Sequence, residues 1–215
     1  MKTGIIVFPG SNCDRDLALS LERVSGQPCQ RIWHQETDLP PLDLIGLPGG
    51  FSYGDYLRCG ALAAASPIVS ALKSKVAEGL PLIGICNGFQ ILCETGILPG
   101  MLMPNVGGRF VHRDETLIVQ SNKGPFLHHQ TPGAKLTFSV AHHDGSYQAD
   151  EETLNRLEGE GRVAFTYTNN PNGSARDIAG ILSENHRVLG LMPHPERHMD
   201  GDGGRFFDAA IGVLS

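Results

Sequence analysis

The first half of the chain alternates short apolar runs with segments whose apolar residues recur at helical spacing. Each apolar run has the length of a buried strand, and each helical segment lies between two such runs. Strands that alternate with helices at this spacing predict a parallel sheet with crossover helices. The predicted strands cover residues 4–8, 30–34, 42–47 and 82–85, and the predicted helices cover residues 14–24, 68–76 and 88–95.

The second half has a different pattern, in which short strand-like runs are separated by Gly, Asn and Pro. These runs predict an antiparallel meander that adds to or extends the main sheet. They cover residues 109–120, 135–141, 163–168, 178–183 and 188–192, and a last helix is predicted over residues 206–214, with Phe207, Ala210, Ile211 and Leu214 on one side. No linker or repeat divides the chain, so we expect one α/β domain over residues 1–215, with an open, mostly parallel sheet and an antiparallel extension.

Composition narrows the classes of function. The formal net charge of the 215 residues is −6 and no basic cluster is longer than a pair, so nucleic acid is not expected as the main partner. The N-terminal apolar run is too short for a signal sequence or a membrane span, so no membrane association is expected. Five cysteines without close pairing predict a reducing compartment, and we therefore expect a cytoplasmic protein.

The most informative stretch is a Gly-x-Cys-x-Gly run at residues 84–88, between the predicted strand 82–85 and the following helix. This arrangement is the cysteine form of a nucleophile elbow, a sharp turn that needs small residues on both sides of the nucleophile. The helix N-terminus next to Cys86 favours the thiolate form of the side chain. The alternative is an ordinary strand-to-helix turn with glycines for packing and a buried cysteine.

A cysteine nucleophile needs a base and a group that orients the base. His194 follows the predicted strand 188–192, and the carboxyl ends of parallel strands share one edge of a sheet. Glu196 lies two residues further on and is placed to accept the second ring N–H of His194. The alternative is a rigid Pro-containing turn that carries an exposed His and Glu.

Two glycines, Gly49 and Gly50, follow another predicted strand at the same edge. Glycines allow backbone N–H groups to approach a substrate closely, and the N–H groups of Gly50 and Asn87 are candidates for an oxyanion hole. The alternative is a glycine-rich turn without a catalytic role. The pattern of a phosphate-binding loop is absent from the sequence.

Metal binding was considered because the chain has nine histidines. His194 and His198 have a ligand spacing only if they lie on a helix, and Pro195 together with the glycine-rich run 201–204 leaves little room for one. The adjacent pairs at 128–129 and 142–143 are expected to be solvated. We therefore predict no metal site.

These pieces together resemble the class I, or triad, glutamine amidotransferases. More narrowly, the chain resembles the family of glutaminase subunits of phosphoribosylformylglycinamidine synthase over almost its whole length. The resemblance rests on PGSNCD at 9–14, PGGFSYGDYLRCGA at 48–61, CNGFQ at 86–90, NGS at 172–174, DIAG at 177–180 and MPHPER at 192–197. One departure is AHHDG at 141–145, where the family usually has Ala-His-Gly-Glu-Gly.

The resemblance implies a flavodoxin-like three-layer sandwich and a Cys86–His194–Glu196 triad that hydrolyses L-glutamine to glutamate and ammonia. It also implies that Gly49, Gly50, Asn87 and Gln90 bind the substrate. No cofactor is expected in this chain.

The family further implies transfer of the ammonia to a large synthetase subunit in purine synthesis. That subunit uses ATP and Mg²⁺ to convert formylglycinamide ribonucleotide into formylglycinamidine ribonucleotide, and a small third subunit commonly bridges the two. The loop of residues 51–60 is our candidate for a partner-facing lid, because of its aromatic residues and its position beside Gly49 and Gly50.

Two other functions remain open at this point. One is a different cysteine-elbow hydrolase on a similar sheet, such as an intracellular cysteine peptidase or a cofactor-free glyoxalase, for which an acidic residue near the elbow is expected. The other is a non-catalytic binding module that kept the fold, although both Cys86 and His194 are present.

Overall fold

The computed structural model describes residues 1–56 and 58–214, without the side chains of residues 211–214. Leu57 of the PGGFSYGDYLRCGA run and Ser215, the last residue of the expected domain, lie outside the described residues. The predicted apolar positions Ile211 and Leu214 on the last helix also fall among the side chains that are not described.

In the described part of the chain, nine strands form one mixed sheet and two short strands form a separate pair. The order across the large sheet is β2-β1-β3-β4-β11-β10-β9-β6-β7, and β5 pairs with β8. The strands are β1 Thr3–Val7, β2 Gln30–Trp33, β3 Leu44–Leu47, β4 Leu82–Ile85, β5 Met101–Met103, β6 Val111–Val119, β7 Lys135–His142, β8 Ser146–Gln148, β9 Val163–Tyr167, β10 Ile178–Leu182 and β11 Val188–Leu191.

Helices connect the parallel strands. The helices are α1 Asp14–Ser25, α2 Ala61–Ala64, α3 Ile68–Ala77, α4 Asn87–Glu94, α5 Gly124–Leu127, α6 Glu151–Gly159 and α7 Asp202–Leu214. Helix α1 packs against α7 and helix α2 packs against α4. None of the helices in the described part of the chain is both long and apolar enough to cross a membrane.

The parallel half of the sheet places the site. Strands β3, β4 and β11 are buried along their whole length, which explains their continuous apolar runs. Strand β4 pairs in parallel with β3 on one side and with β11 on the other. The segments after Leu47, Ile85 and Leu191 therefore emerge at one edge of the sheet, as the sequence predicted.

The antiparallel extension is also present, but it is not a simple meander. Strands β9, β10 and β11 are neighbours in the sheet. Strands β6 and β7 form a hairpin, which joins the sheet because β6 pairs with β9. The segment between β7 and β9 leaves the sheet to form β8 and α6, which the sequence analysis missed. A signal for α6 existed, because the Asp150 side chain caps it by accepting a hydrogen bond from the Thr153 N–H.

The segment from His194 to His198 forms no α-helix and holds only a 3-10 turn over Pro195–Arg197, as expected, but the last helix begins at Asp202 and not at residue 206. A Cβ atom on Gly203 would lie 1.9 Å from the Pro195 carbonyl oxygen, and one on Gly204 would lie 2.2 Å from the Met199 carbonyl oxygen. These glycines therefore let the first turn of α7 pack against the segment that carries His194. They serve close packing and do not break the helix.

Candidate active site

Cys86 occupies a strained turn between β4 and α4. Its backbone has φ 51° and ψ −106°, a region that residues with a side chain rarely adopt. A Cβ atom on Gly84 would lie 2.9 Å from the Gly88 carbonyl carbon, and one on Gly88 would lie 2.1 Å from the Leu47 carbonyl oxygen. The two glycines are therefore required by the close approach of the backbone, and the segment has the geometry of a nucleophile elbow.

His194 and Glu196 form a buried pair beside this turn. Nδ1 of His194 lies 2.6 Å from Oε1 of Glu196, and both side chains are almost completely shielded from water. The backbone N–H of His194 donates to the carbonyl oxygen of Ser139 on β7, which fixes the histidine from a second strand. Nε2 of His194 is buried and has no hydrogen-bond partner among the described residues, so it is available to exchange a proton.

The charges around His194 favour its protonated form. Burial lowers the pKa of His194, but the interactions with Glu196 and then Cys86 outweigh burial and raise that pKa well above its ordinary value. An imidazolium beside Cys86 stabilises a thiolate there. The three predicted triad residues therefore lie close together, with Cys86 and His194 in the wall of one cavity and Glu196 bonded to His194.

Gly49 and Gly50 lie against the same group. A Cβ atom on Gly49 would lie 2.8 Å from Cε1 of His194 and 3.4 Å from Cβ of Cys86, so a larger residue would displace the pair. Gly50 has φ 143°, and a Cβ atom there would lie 2.4 Å from the Gly10 carbonyl oxygen. Its N–H donates to no acceptor in the described part of the chain, which leaves it free for an oxyanion.

Asn87 and Gln90 lie on the first turn of α4. The Asn87 side-chain amide donates to Oε1 of Gln90 at 2.8 Å and accepts from the Ser52 N–H at 3.2 Å. The Gln90 amide donates to the Asp144 carbonyl oxygen at 2.7 Å. Gln90 therefore connects α4 to the loop after β7 and lies on the wall of the site.

Two cavities lined by described residues adjoin Cys86. The first, of about 260 Å³, contains Asp55, Gln90 and Asp144 in its wall and is called the acidic cavity below. The second, of about 250 Å³, contains Arg197, His112 and His194 and is called the basic cavity. Cys86 lies in the wall of both, so the candidate nucleophile borders two cavities whose walls carry different charges.

A larger open groove of about 740 Å³ lies elsewhere, near residues 93–100 and 183–185. The cysteine in its wall, Cys93, is buried, and burial raises the pKa of its thiol far above the ordinary value. This groove therefore offers no activated nucleophile, and its size does not make it the active site.

Cys13 was not predicted from the sequence as part of the site. It lies at the end of the segment that connects β1 to α1. It precedes α1, and its Sγ lies within 4.8 Å of ligand atoms of His194 and Glu196. The Arg197 guanidinium donates to Sγ of Cys13 at 3.0 Å. The position of Cys13 just after β1, at the same edge as the other site residues, was the signal that could have found it.

The Cys13, His194 and Glu196 side chains are the group with metal-ligand spacing among residues 1–56 and 58–214. His194 and Glu196 already bond to each other, and the guanidinium at Cys13 opposes a second cation. The absence of a metal stays a prediction.

The histidine expectations need one correction. His142 is buried and not solvated, with Nδ1 3.2 Å from Oδ1 of Asn105 and Nε2 3.4 Å from Nδ2 of Asn172. Burial, followed by the charge of His194, lowers the pKa of His142 to about 4. His198 contacts Ser139 and Asp114, away from the nucleophile.

Comparison with known proteins identifies the family. Residues 1–204 match the model of the CobB/CobQ-like glutamine amidotransferase domain. The phosphoribosylformylglycinamidine synthase subunit PurQ of Jannaschia sp. (strain CCS1) is 56% identical over 93% of this chain and 90% of the relative. The PurQ subunit of Roseobacter denitrificans is 52% identical over 100% of this chain and 99% of the relative. The chain belongs to the PurQ family.

Solved structures agree with this assignment. A chain of the PurLQS structure from Thermotoga maritima superposes with a TM-score of 0.88 and 39% identity, and the match covers all of both chains. A glutamine amidotransferase from the same organism, at 15% identity and a TM-score of 0.62 over 93% of its length, supports the fold alone. The expected flavodoxin-like fold is thereby confirmed. Membership of the PurQ family also decides against the binding module and the unrelated cysteine hydrolase.

Proposed function

We propose that this PurQ-family chain hydrolyses L-glutamine through Cys86, His194 and Glu196. The observation that carries the proposal is the strained turn at Cys86 beside the buried His194–Glu196 pair. Family membership makes the chain a glutamine amidotransferase component of phosphoribosylformylglycinamidine synthase, an enzyme of purine biosynthesis. The roles of the individual residues follow from the geometry and chemistry of the site.

The reaction proceeds in two stages. Sγ of Cys86 attacks the side-chain amide carbon of glutamine, the C–N bond breaks, and the His194 imidazolium gives its proton to the leaving ammonia. Water then attacks the thioester while His194 takes a proton from it, and glutamate leaves as the Cys86–carbon bond breaks. Glu196 holds the ring of His194 and stabilises its positive charge in both stages.

The oxyanion that develops on the amide oxygen needs preorganised donors. The N–H groups of Gly50 and Asn87 are proposed for this role, since neither donates to an acceptor in the described residues. Gly49 allows His194 and Cys86 to approach closely, and Gln90 shapes the substrate cavity together with Asp144. Donors of this kind contribute on the order of a hundredfold or more to rate.

The ammonia passes to partner subunits. The Thermotoga maritima relative belongs to a PurLQS structure, and we propose the same kind of assembly here, with a large synthetase subunit and a small bridging subunit. We further propose that the synthetase subunit uses ATP and Mg²⁺ and that this chain binds no cofactor. Residues 1–215 are proposed to form a single class I glutamine amidotransferase domain, and the complex is proposed to be cytoplasmic.

The test measures glutamate release from L-glutamine by the purified chain, alone and with its cognate synthetase subunits. We expect activity that rises with the partners and is lost in Cys86→Ala. Cys29→Ala is the matched control, because Cys29 immediately precedes β2 and lines neither cavity beside Cys86, so this variant should keep the activity. Activity that survives in Cys86→Ala would show that the nucleophile is assigned wrongly.

A further inference from the structure

The acidic cavity holds a carboxylate oxygen without a partner. Oδ1 of Asp55 is shielded from solvent and forms no hydrogen bond within the described residues. The neighbouring Asp144 is satisfied, because Sγ of Cys59 donates to its Oδ2 at 3.2 Å and His143 contacts its Oδ1. Asp55 and Cys86 both lie in the wall of this cavity, so a carboxylate with one unpaired oxygen borders the same space as the candidate nucleophile.

The surroundings of Asp55 make an unpaired carboxylate oxygen there energetically unfavourable. Burial raises the pKa of Asp55, and the charge of Asp144 adds to that increase against the lowering effect of the neighbouring Cys59. No Lys or Arg lies among the described residues of the cavity wall, His142 there is neutral because its pKa is about 4, and the other histidine of the wall, His143, contacts Asp144 and not Asp55. A partly buried carboxylate in such a setting is stabilised by a cation that enters the cavity.

The substrate of the proposed reaction supplies a cation of suitable size. L-Glutamine carries an α-ammonium group at the end opposite its amide, so when the amide carbon reaches Cys86, that end must extend into one of the adjoining cavities. The basic cavity contains Arg197 and His194, which repel an ammonium group. The acidic cavity attracts it.

We propose that the carboxylate group of Asp55 accepts a hydrogen bond from the α-ammonium group of L-glutamine, and that Asp144 adds negative charge to the same cavity. This assignment rests on the proposed glutaminase function and makes Asp55 a specificity-determining residue of that site. In this orientation the α-carbon of glutamine lies in the acidic cavity, and the basic cavity beside His194 is not used to bind the α-ammonium group.

The test compares L-glutamine with glutaramic acid, which keeps the amide but lacks the α-ammonium group, using the chain assembled with its synthetase subunits. Asp55→Asn keeps the shape of the side chain and removes its charge. We expect KM for L-glutamine to rise about 10- to 100-fold in Asp55→Asn, because a hydrogen bond to a charged group is lost. The preference for L-glutamine over glutaramic acid should fall by the same factor, and the kcat/KM for glutaramic acid should not fall.

A second measurement separates recognition from damage to the site. The rate of Cys86 labelling by 6-diazo-5-oxo-L-norleucine, which carries the α-ammonium group, should fall in Asp55→Asn. The rate of labelling by iodoacetamide, which lacks that group, should stay the same. Asp38→Asn, on an exposed loop, is the matched control and should change neither rate.

The possible failures are distinguishable. An unchanged preference for L-glutamine in Asp55→Asn, or equal losses with both substrates and both labels, would overturn the role of Asp55 while the glutaminase function stands. A wild-type complex that does not hydrolyse L-glutamine, or a Cys86→Ala complex that does, would overturn the proposed function itself.

Discussion

Replacing Glu196 by glutamine keeps the shape of the side chain and removes the charge that faces His194. Oε1 of Glu196 and Nδ1 of His194 are 2.6 Å apart, and the Glu196 side chain is fully buried. In the wild type the pKa of His194 is lowered by burial but raised further by Glu196 and Cys86. In Glu196→Gln the negative charge that offsets the effect of burial on His194 is removed, so the pKa of His194 falls. A smaller fraction of the imidazole then carries the proton that the leaving ammonia needs.

The magnitude follows from the kind of contact that is changed. A hydrogen bond to a charged group contributes about 1.5–3 kcal/mol and a neutral one about 0.5–1.5 kcal/mol, so Glu196→Gln should cost roughly 1–2 kcal/mol of unfolding free energy. Positioned acid–base catalysis contributes about 10²–10⁴ to rate, so kcat for glutamate release should fall about 100-fold or more. Glu196→Ala leaves the buried ring unpaired and should cost more, about 3–5 kcal/mol.

The effect on stability has a definite sign with pH. Because folding raises the pKa of His194, the contribution of the ion pair is fully present below the unfolded pKa of about 6.5 and is lost as pH rises through the folded pKa. The difference in unfolding free energy between wild type and Glu196→Gln should therefore be larger in mild acid than in alkaline solution.

The assay is glutamate release by the assembled complex across a pH series, with urea unfolding of the isolated chain at the same pH values. Glu184→Gln is the control, because the Glu184 side chain is 83% exposed and lies away from the site. If Glu196→Gln keeps the wild-type kcat and the wild-type pH profile, Glu196 neither orients His194 nor tunes its charge, and the triad assignment is refuted.

Two further predictions concern residues outside the triad. His142 has a pKa of about 4 in the folded chain and about 6.5 when unfolded, so stability should fall by up to roughly 3 kcal/mol as pH falls between these values. His142→Gln should flatten that part of the urea-unfolding profile. An NMR titration in which the His142 ring is protonated near pH 6.5 would contradict this prediction. Tyr56 is 76% exposed on the proposed lid, so Tyr56→Ala should lower ammonia transfer in the complex more than the control Leu19→Ala on the exposed side of α1. The unfolding free energy should change by less than about 0.5 kcal/mol. Unchanged ammonia transfer in Tyr56→Ala would count against the lid.

Much of the fold could be predicted because its signals are local. The buried run at residues 82–85 and the glycines at 84 and 88 predicted both the central strand and the turn at Cys86, since each feature depends on a few neighbouring residues. The strands β5 and β8 were missed because each has only three residues, too few for a periodic pattern. The start of α7 was misplaced because close packing of Gly203 was taken for a helix break.

The sequence by itself predicted the candidate nucleophile and its base, and it determined the edge of the sheet where they meet. Cys86 lies in a short motif, Glu196 is two residues from His194, and parallel pairing brings β4 and β11 together. Only the tertiary structure decided what surrounds them, including Cys13 at His194, the buried ring of His142 and the free oxygen of Asp55. Such contacts join residues far apart in the chain, and burial, which sets their charge, exists only after the segments have packed together.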